Sequence, residues 1–478
     1  MRAVLAPGIS RTLPAPLIAV PAAACAAAFG VAIAHQPLIA IALMGAAGLA
    51  VVALRFPVVT VGLILAITMI VPFGLQNRLA VGGGVGSPGL LLVDALAGLG
   101  LCRLAYRYAR RAWPPSMLLA AALLVVFLVQ AMHGVALGAN ASEAGTEARR
   151  LVLAAATALL TLPILQDEAS RRRLYRILVP LGLALGLWGL AQWFGGLSYG
   201  AAGDVGVRSG VALTSGGRGQ LQGGLFGFPV AVIFAFAALV GGQALKRNAR
   251  VALLCVAALN LICVLLTYER TFWAATVLGC AFVLLRAPPA RRAKALLWLP
   301  VFGSTFLVAL IIAAPGELET AQERLLSVTQ YRTDSSVYAR VVESRFVVKE
   351  IHRHPLIGSG LGATITWEDL PNYQPETTPF SHNGYLWLAW KVGIPLAAFI
   401  LLLLLIAIAR PVRRRGLIGA ICAGSQGGLL ALLLINVTFP SVNALGITAT
   451  TGAMVAACFL PHRRAGRGDR PASAPATI

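Results

Sequence analysis

Ser381-His-Asn-Gly-Tyr-Leu-Trp-Leu388 closes a long polar stretch and opens an apolar run that continues to Ala409. The polar side begins near Tyr331 with a helix-compatible segment through Arg340, Glu343, Arg345, Lys349 and Glu350. It continues through His354-Pro-Leu-Ile-Gly-Ser-Gly-Leu-Gly362 and a turn-rich span holding Pro371, Asn372 and Pro375. The apolar side is long enough to cross a bilayer as helix, which takes about 18–20 residues. The junction therefore predicts a membrane protein whose water-compatible chemistry is gathered beside one late span. In a chain that is 58% hydrophobic and only 12% charged, no other long stretch is as polar.

The same reading extends along the chain. Apolar runs fall at 16–34, 37–54, 57–74, 88–106, 114–137, 151–165, 175–195, 224–245, 250–266, 272–286, 295–314, 384–409, 416–435 and 441–460. The expected fold is all-α and polytopic, with about 12–14 transmembrane helices. A barrel is excluded because its strands would alternate polar and apolar over about ten residues. The organisation expected is transmembrane helices over 1–314, a long loop over 315–383, further helices over 384–462 and a tail over 463–478.

The net charge of +22 does not indicate nucleic acid, because most of the 39 Lys and Arg lie in short alternate loops. Arg103, Arg107, Arg110 and Arg111 form one such group; Arg171, Arg172, Arg173 and Arg176 form another; Arg410, Arg413, Arg414 and Arg415 form a third. The acidic residues favour the opposite side. Lys/Arg bias marks the cytoplasmic side, so both termini are expected there and the 315–383 loop outside. The seven cysteines lie within apolar runs and lack metal-ligand spacing, as befits small buried hydrophobes.

Chemistry is sought among residues that the membrane does not explain. His382 stands where the chain re-enters the bilayer; it is either a polar anchor or a base for an incoming hydroxyl, since imidazole titrates near neutrality. Asn383 either fixes the turn or hydrogen-bonds a ligand. Arg270 separates two apolar runs on the outer side, where positive-inside bias supplies no reason for a cation; Glu269 is its candidate structural partner. Arg340 lies on an amphipathic stretch with Arg332 as its understudy, and Arg218 sits in a Gly-rich loop that either approaches a ligand or is merely flexible. Arg345, Lys349 and Arg353 read as solvated or in contact with lipid phosphate. Gly358-Ser-Gly-Leu-Gly362 lacks a following Lys-Ser/Thr, which excludes an ATP-binding loop. Asp94 and Lys391 lie within spans, where such residues either mark a transport pathway or pair locally.

Taken together, His354-Pro-Leu-Ile-Gly-Ser-Gly-Leu-Gly362, then His382-Asn-Gly-Tyr-Leu386 and Gly393, resemble the O-antigen ligase/Wzy polymerase superfamily. Arg270 resembles that family's arginine between two spans, Arg340 its loop arginine, and the Arg218–Pro229 region a further element. The resemblance implies a membrane-embedded, GT-C-like glycosyltransferase of the bacterial inner membrane with its active site facing the periplasm. It implies inverting transfer from an undecaprenyl-diphosphate-linked glycan to a sugar hydroxyl of lipid A–core, with membrane lipid around it and no metal or other cofactor. A polymerase would instead use a second undecaprenyl-linked repeat unit as acceptor. Arginine suits a diphosphate leaving group because its planar fork makes bidentate phosphate contacts. The residues expected to act are His382 on the acceptor hydroxyl and Arg270, Arg340 and Arg218 on the diphosphate. The rival class is a lipid or polysaccharide transporter, which would need a polar path through the spans.

Overall fold

The computed structural model describes residues 45, 48–71, 91–195, 225–241, 245–267, 269–293, 295–296, 303–304, 335–369, 374–412 and 416–460. Arg218 and Arg332 lie outside these residues, as do the run at 16–34 and most of that at 295–314. Met1–Phe56 forms one compact unit and Pro57–Ile478 a second, which holds the helical bundle.

Expected apolar runs become helices α1 (Pro57–Ile70), α2 (Leu92–Tyr108), α3 (Pro115–Ala136), α4 (Ala141–Gln166), α5 (Glu168–Gly195), α6 (Gly227–Gly241), α7 (Arg247–Leu266) and α8 (Arg270–Arg286). The polar stretch supplies α9 (Ser335–Arg353) and a hairpin of β1 (Ile365–Asp369) and β2 (Gln374–Thr378). Then come α10 (Gly384–Val392), α11 (Ile394–Ala409), α12 (Gly416–Ile435) and α13 (Leu445–Cys458). Among the described residues α3, α4, α5, α7 and α12 are long and apolar enough to span a bilayer, while α6, α11 and α13 are shorter apolar helices. The protein is an all-α multi-pass membrane protein with one small hairpin.

Local chemistry explains several boundaries. Pro115 opens α3 at its first helical position, where the missing N–H carries no penalty. Asn140 caps α4, its side chain accepting from the amides of Ser142 and Glu143. The 384–409 run is not one helix: it breaks at Gly393, whose φ of +82° is left-handed and favours glycine.

α4 is buried along most of its length and packs between α3 and α13. One apolar core joins α6, α8, α12 and α13 through residues such as Ile233, Phe272, Leu432 and Ile447. A second joins α3, α4, α9, β1 and α10 through Phe127, Leu151, Val347, Trp367, Trp387 and Trp390. The hairpin alternates as half-buried strands do, with Ile365 and Trp367 turned inward and Thr366 paired outward with Thr377.

Candidate active site

The motif Gly358-Ser-Gly-Leu-Gly362 is a packing device. Its glycines have φ of +79°, +78° and +83°, and the segment threads between the C-terminal end of α3 and the α10–α11 break. Ser359 and Gly360 donate their amides to the carbonyls of Trp390 and Lys391, and Leu361 donates to Gln130. A Cβ at Gly360 would lie 2.3 Å from Gly134 Cα, so the backbones touch where no side chain fits. Glu147 and Lys391 complete the joint. Lys391 Nζ lies 2.9 Å from Glu147 Oε1 and donates to the Ala363 carbonyl, while the Gly362 amide donates to Glu147 Oε2 at 2.6 Å. Asp94 likewise pairs with Arg149 at 3.0 Å and accepts from the Leu91 amide. Both midspan charges are thus paired locally, which removes the support they lent to a transport pathway.

This joint fixes α10, and α10 fixes His382. Asn383 caps α10, its Oδ1 accepting from the amides of Tyr385 and Leu386 at 3.0 and 3.1 Å. Of the two roles left open for Asn383, its oxygen performs the turn-fixing one. Trp387 Nε1 donates to the Pro379 carbonyl, Gly384 donates its amide to Asn436 O, and Ser381 is fully buried. The loop entering the membrane is therefore held on both sides.

Against it stands Glu343, a carboxylate missed in the sequence as a site residue. It is 3% exposed, and it accepts from the His382 backbone amide at 2.8 Å and from His382 Nδ1 at 2.6 Å. With Nδ1–H engaged by the carboxylate, Nε2 is left as a proton acceptor. The imidazole is 40% exposed and stacks edge-on against Phe380, 5.0 Å between centroids. A signal for Glu343 was present: it shares a helical face with Val347 and Ile351, both buried, so α9 carries a carboxylate inward.

Of the three arginines expected on a diphosphate, Arg340 and Arg270 lie among the described residues. Arg340 lies one turn before Glu343 on α9, with its guanidinium 5.9 Å from the Phe439 ring. Phe439 packs edge-on against Phe272 of α8 at 5.7 Å, and Thr438 Oγ1 donates to Thr271 Oγ1 at 3.0 Å. Arg270 is the residue just before Thr271 and opens α8. Contacts thus run from the first turn of α8, through the chain after α12, to α9 and His382. Among the described residues no carboxylate pairs with Arg270 or Arg340, and no cluster of three or more His, Cys, Asp or Glu forms. An apolar cavity of about 110 Å³ lies elsewhere in the bundle, lined by residues such as Leu165, Leu181 and Met454; it contains none of these groups.

In this multi-pass helical membrane protein a carboxylate-held histidine thus lies one helical turn from Arg340, and contacts continue from Arg340 to the residue after Arg270. Residues 252–402, which hold Arg270, Arg340, Glu343 and His382, match the family model for O-antigen ligase. That family comprises membrane glycosyltransferase-like enzymes. No curated protein matches the chain.

Proposed function

We propose that this protein transfers a glycan from undecaprenyl diphosphate to a sugar hydroxyl of lipid A–core oligosaccharide, at the periplasmic face of the bacterial inner membrane. The observation that supports it best is the Glu343–His382 pair beside Arg340. The acceptor hydroxyl oxygen attacks the anomeric carbon from the side opposite the diphosphate, forming the new C–O bond with inversion. The bond between that carbon and the diphosphate oxygen breaks, and undecaprenyl diphosphate leaves with the bonding electrons. Arg340 and Arg270, with Arg218, hold the charge that develops on it. The hydroxyl proton passes to His382 Nε2. Glu343 accepts from Nδ1–H throughout, orients the ring and stabilises the imidazolium that forms, a division of labour seen wherever a carboxylate backs a catalytic histidine.

No step in this scheme requires a divalent ion, because the leaving group is already anionic and arginine supplies the counter-charge. The test is a deletion strain examined by lipopolysaccharide gel and complemented with the wild-type chain. Loss of every capped chain, restored on complementation, is the expected result. Survival of cores bearing a single repeat would instead identify a polymerase. Purified protein with lipid-linked donor and acceptor should work in EDTA; activity abolished there and restored by Mg²⁺ would overturn the metal-free scheme.

A further inference from the structure

The face of α9 turned away from the bundle has an order that catalysis does not use. Arg345, Lys349 and Arg353 recur every four residues, so they form one cationic stripe along the helix, and all three are exposed. The stripe lies opposite the face that buries Glu343, Val347 and Ile351. At its far end the chain turns through Leu356 and Ile357, which are 72% and 60% exposed. This turn is joined to the spans, not free of them: Pro355 O accepts from the Ile394 amide, and Ile357 O accepts from Gln130 Nε2. Its exposed neighbours on α3 and α11 are also apolar, Val129, Met132 and Ile394 among them. Large exposed apolar side chains grouped in this way belong in hydrocarbon. Lys349 and Arg353 stand one to two turns above it, the depth of lipid phosphates.

We infer that this stripe is the docking site for the phosphorylated headgroup of the glycolipid acceptor, with Leu356 and Ile357 seated among its acyl chains. The inference rests on the proposed function, since it concerns that reaction's acceptor. Charge complementarity selects the occupant: three cations along one edge match a headgroup carrying more than one phosphate, as lipid A does. Among the described residues the acid beside them is Glu350, which pairs with Arg353 at an i,i+3 position, a contact weak enough to exchange for phosphate. From Arg353 back to Glu343 is about 15 Å of helix. The stripe and His382 lie on opposite faces of α9, so a headgroup held at the stripe would present to His382 not its own sugars but those of the oligosaccharide that extends from it and passes around the helix.

The probe is diphosphoryl lipid A, titrated by native mass spectrometry into the purified full chain in neutral detergent, with monophosphoryl lipid A and phosphatidylglycerol as comparisons. The triple variant Arg345→Gln/Lys349→Gln/Arg353→Gln should bind diphosphoryl lipid A at least about tenfold more weakly than the wild type, with monophosphoryl lipid A intermediate on the wild type. Equal charge removed elsewhere, by Lys246→Gln/Arg247→Gln/Arg250→Gln, should leave binding unchanged. If the stripe triple fails to fold, Lys349→Gln alone should still weaken binding about threefold. Wild-type affinity in the stripe variants overturns the inference, and so does equal wild-type affinity for phosphatidylglycerol. Because no donor is present, the proposed function fails separately: stripe-dependent binding without any glycan transfer would refute that reaction and leave the dock standing.

Discussion

Two carboxylates in this protein are buried almost equally, Glu147 at 2% and Glu343 at 3% exposure, and each has a basic partner on or beside α10. Their partners differ. Lys391 is wholly buried, sits 4.1 Å from the Trp390 ring, and shares with Glu147 the backbone groups of Gly362 and Ala363. His382 is 40% exposed and keeps one ring nitrogen free of Glu343. A closed pair can only hold structure together, because both of its charged groups are shut away from any substrate. A half-open pair has a group left over for a substrate. Burial of the acid does not separate a joint from an active site; exposure of the base does.

The largest effect should come from opening the half-open pair completely. His382→Ala is expected to reduce turnover by about 10²–10⁴, the range for loss of a general base. Thermal stability and membrane abundance should change little, since the loop is also held by Trp387, Asn383 and Gly384. His352 and His354 are exposed controls on the outward side of α9 and its turn. Wild-type transfer by His382→Ala at matched abundance would reduce His382 to an interfacial anchor.

The closed pair should break in the opposite sense. Lys391→Met leaves the Glu147 charge buried without its counter-ion, which destabilises by about 3–5 kcal/mol in comparable pairs. The expected readout is a large fall in the detergent-solubilised unfolding temperature and in abundance. Turnover per folded molecule should fall far less than in His382→Ala. Adding Glu147→Leu should recover part of the loss but not all of it, because the Gly362 amide and Ala363 carbonyl lose partners. A stable Lys391→Met protein that had lost its catalysis would place Lys391 in the active site and erase the contrast.

Arg340 tests how far the half-open region extends. Arg340→Ala should lower kcat by about 10²–10³, the scale of one preorganised contact to developing charge. Arg340→Lys should rescue poorly if the contact is bidentate. Arg345→Ala, on the far side of the same helix, should affect kcat less. A larger kcat loss at Arg345 than at Arg340, at equal expression, would move the diphosphate to the other face of α9.

These residues show where sequence reasoning succeeds and where it stops. Helix positions were legible because the apolar runs are long and nearly uncharged, and the runs from 57 to 286 and beyond 384 became helices. His382 and Arg270 could be singled out because a bilayer by itself rarely accounts for a titratable group at a span end, and Arg340 because it lies on an amphipathic stretch of the polar loop. The break at Gly393 was not, because composition does not record a left-handed φ inside an apolar run. Nor was the role of Gly358, Gly360 and Gly362, which depends on the backbones of α3 and α10 lying against them. Glu343 and Glu147 were missed for a common reason. Each answers a partner distant in the chain, and a single sequence gives charge without pairing. Only the placement of Glu343 beside Val347 and Ile351 hinted that it turns inward.

The smallest effect is the most discriminating. Glu343→Gln keeps the size of the side chain and an oxygen to accept from the imidazole, but removes the negative charge. If Glu343 only anchors the loop, a neutral acceptor serves nearly as well and turnover stays near wild type. If it orients the ring and stabilises the imidazolium, a charge-assisted hydrogen bond has been replaced by a neutral one. The difference between those, about 1–1.5 kcal/mol, corresponds to roughly a 5- to 12-fold fall in kcat. The loss should fall on kcat with KM for donor and acceptor retained, since Glu343 is buried behind His382 and touches neither substrate. The carboxamide can also turn its NH₂ toward Nδ1 and favour the other tautomer, with Nε2 protonated and unable to accept. Glu343→Gln with wild-type kcat would show that the pair is a second joint like Glu147–Lys391. A fall in kcat beside an unchanged unfolding temperature would show that it is not.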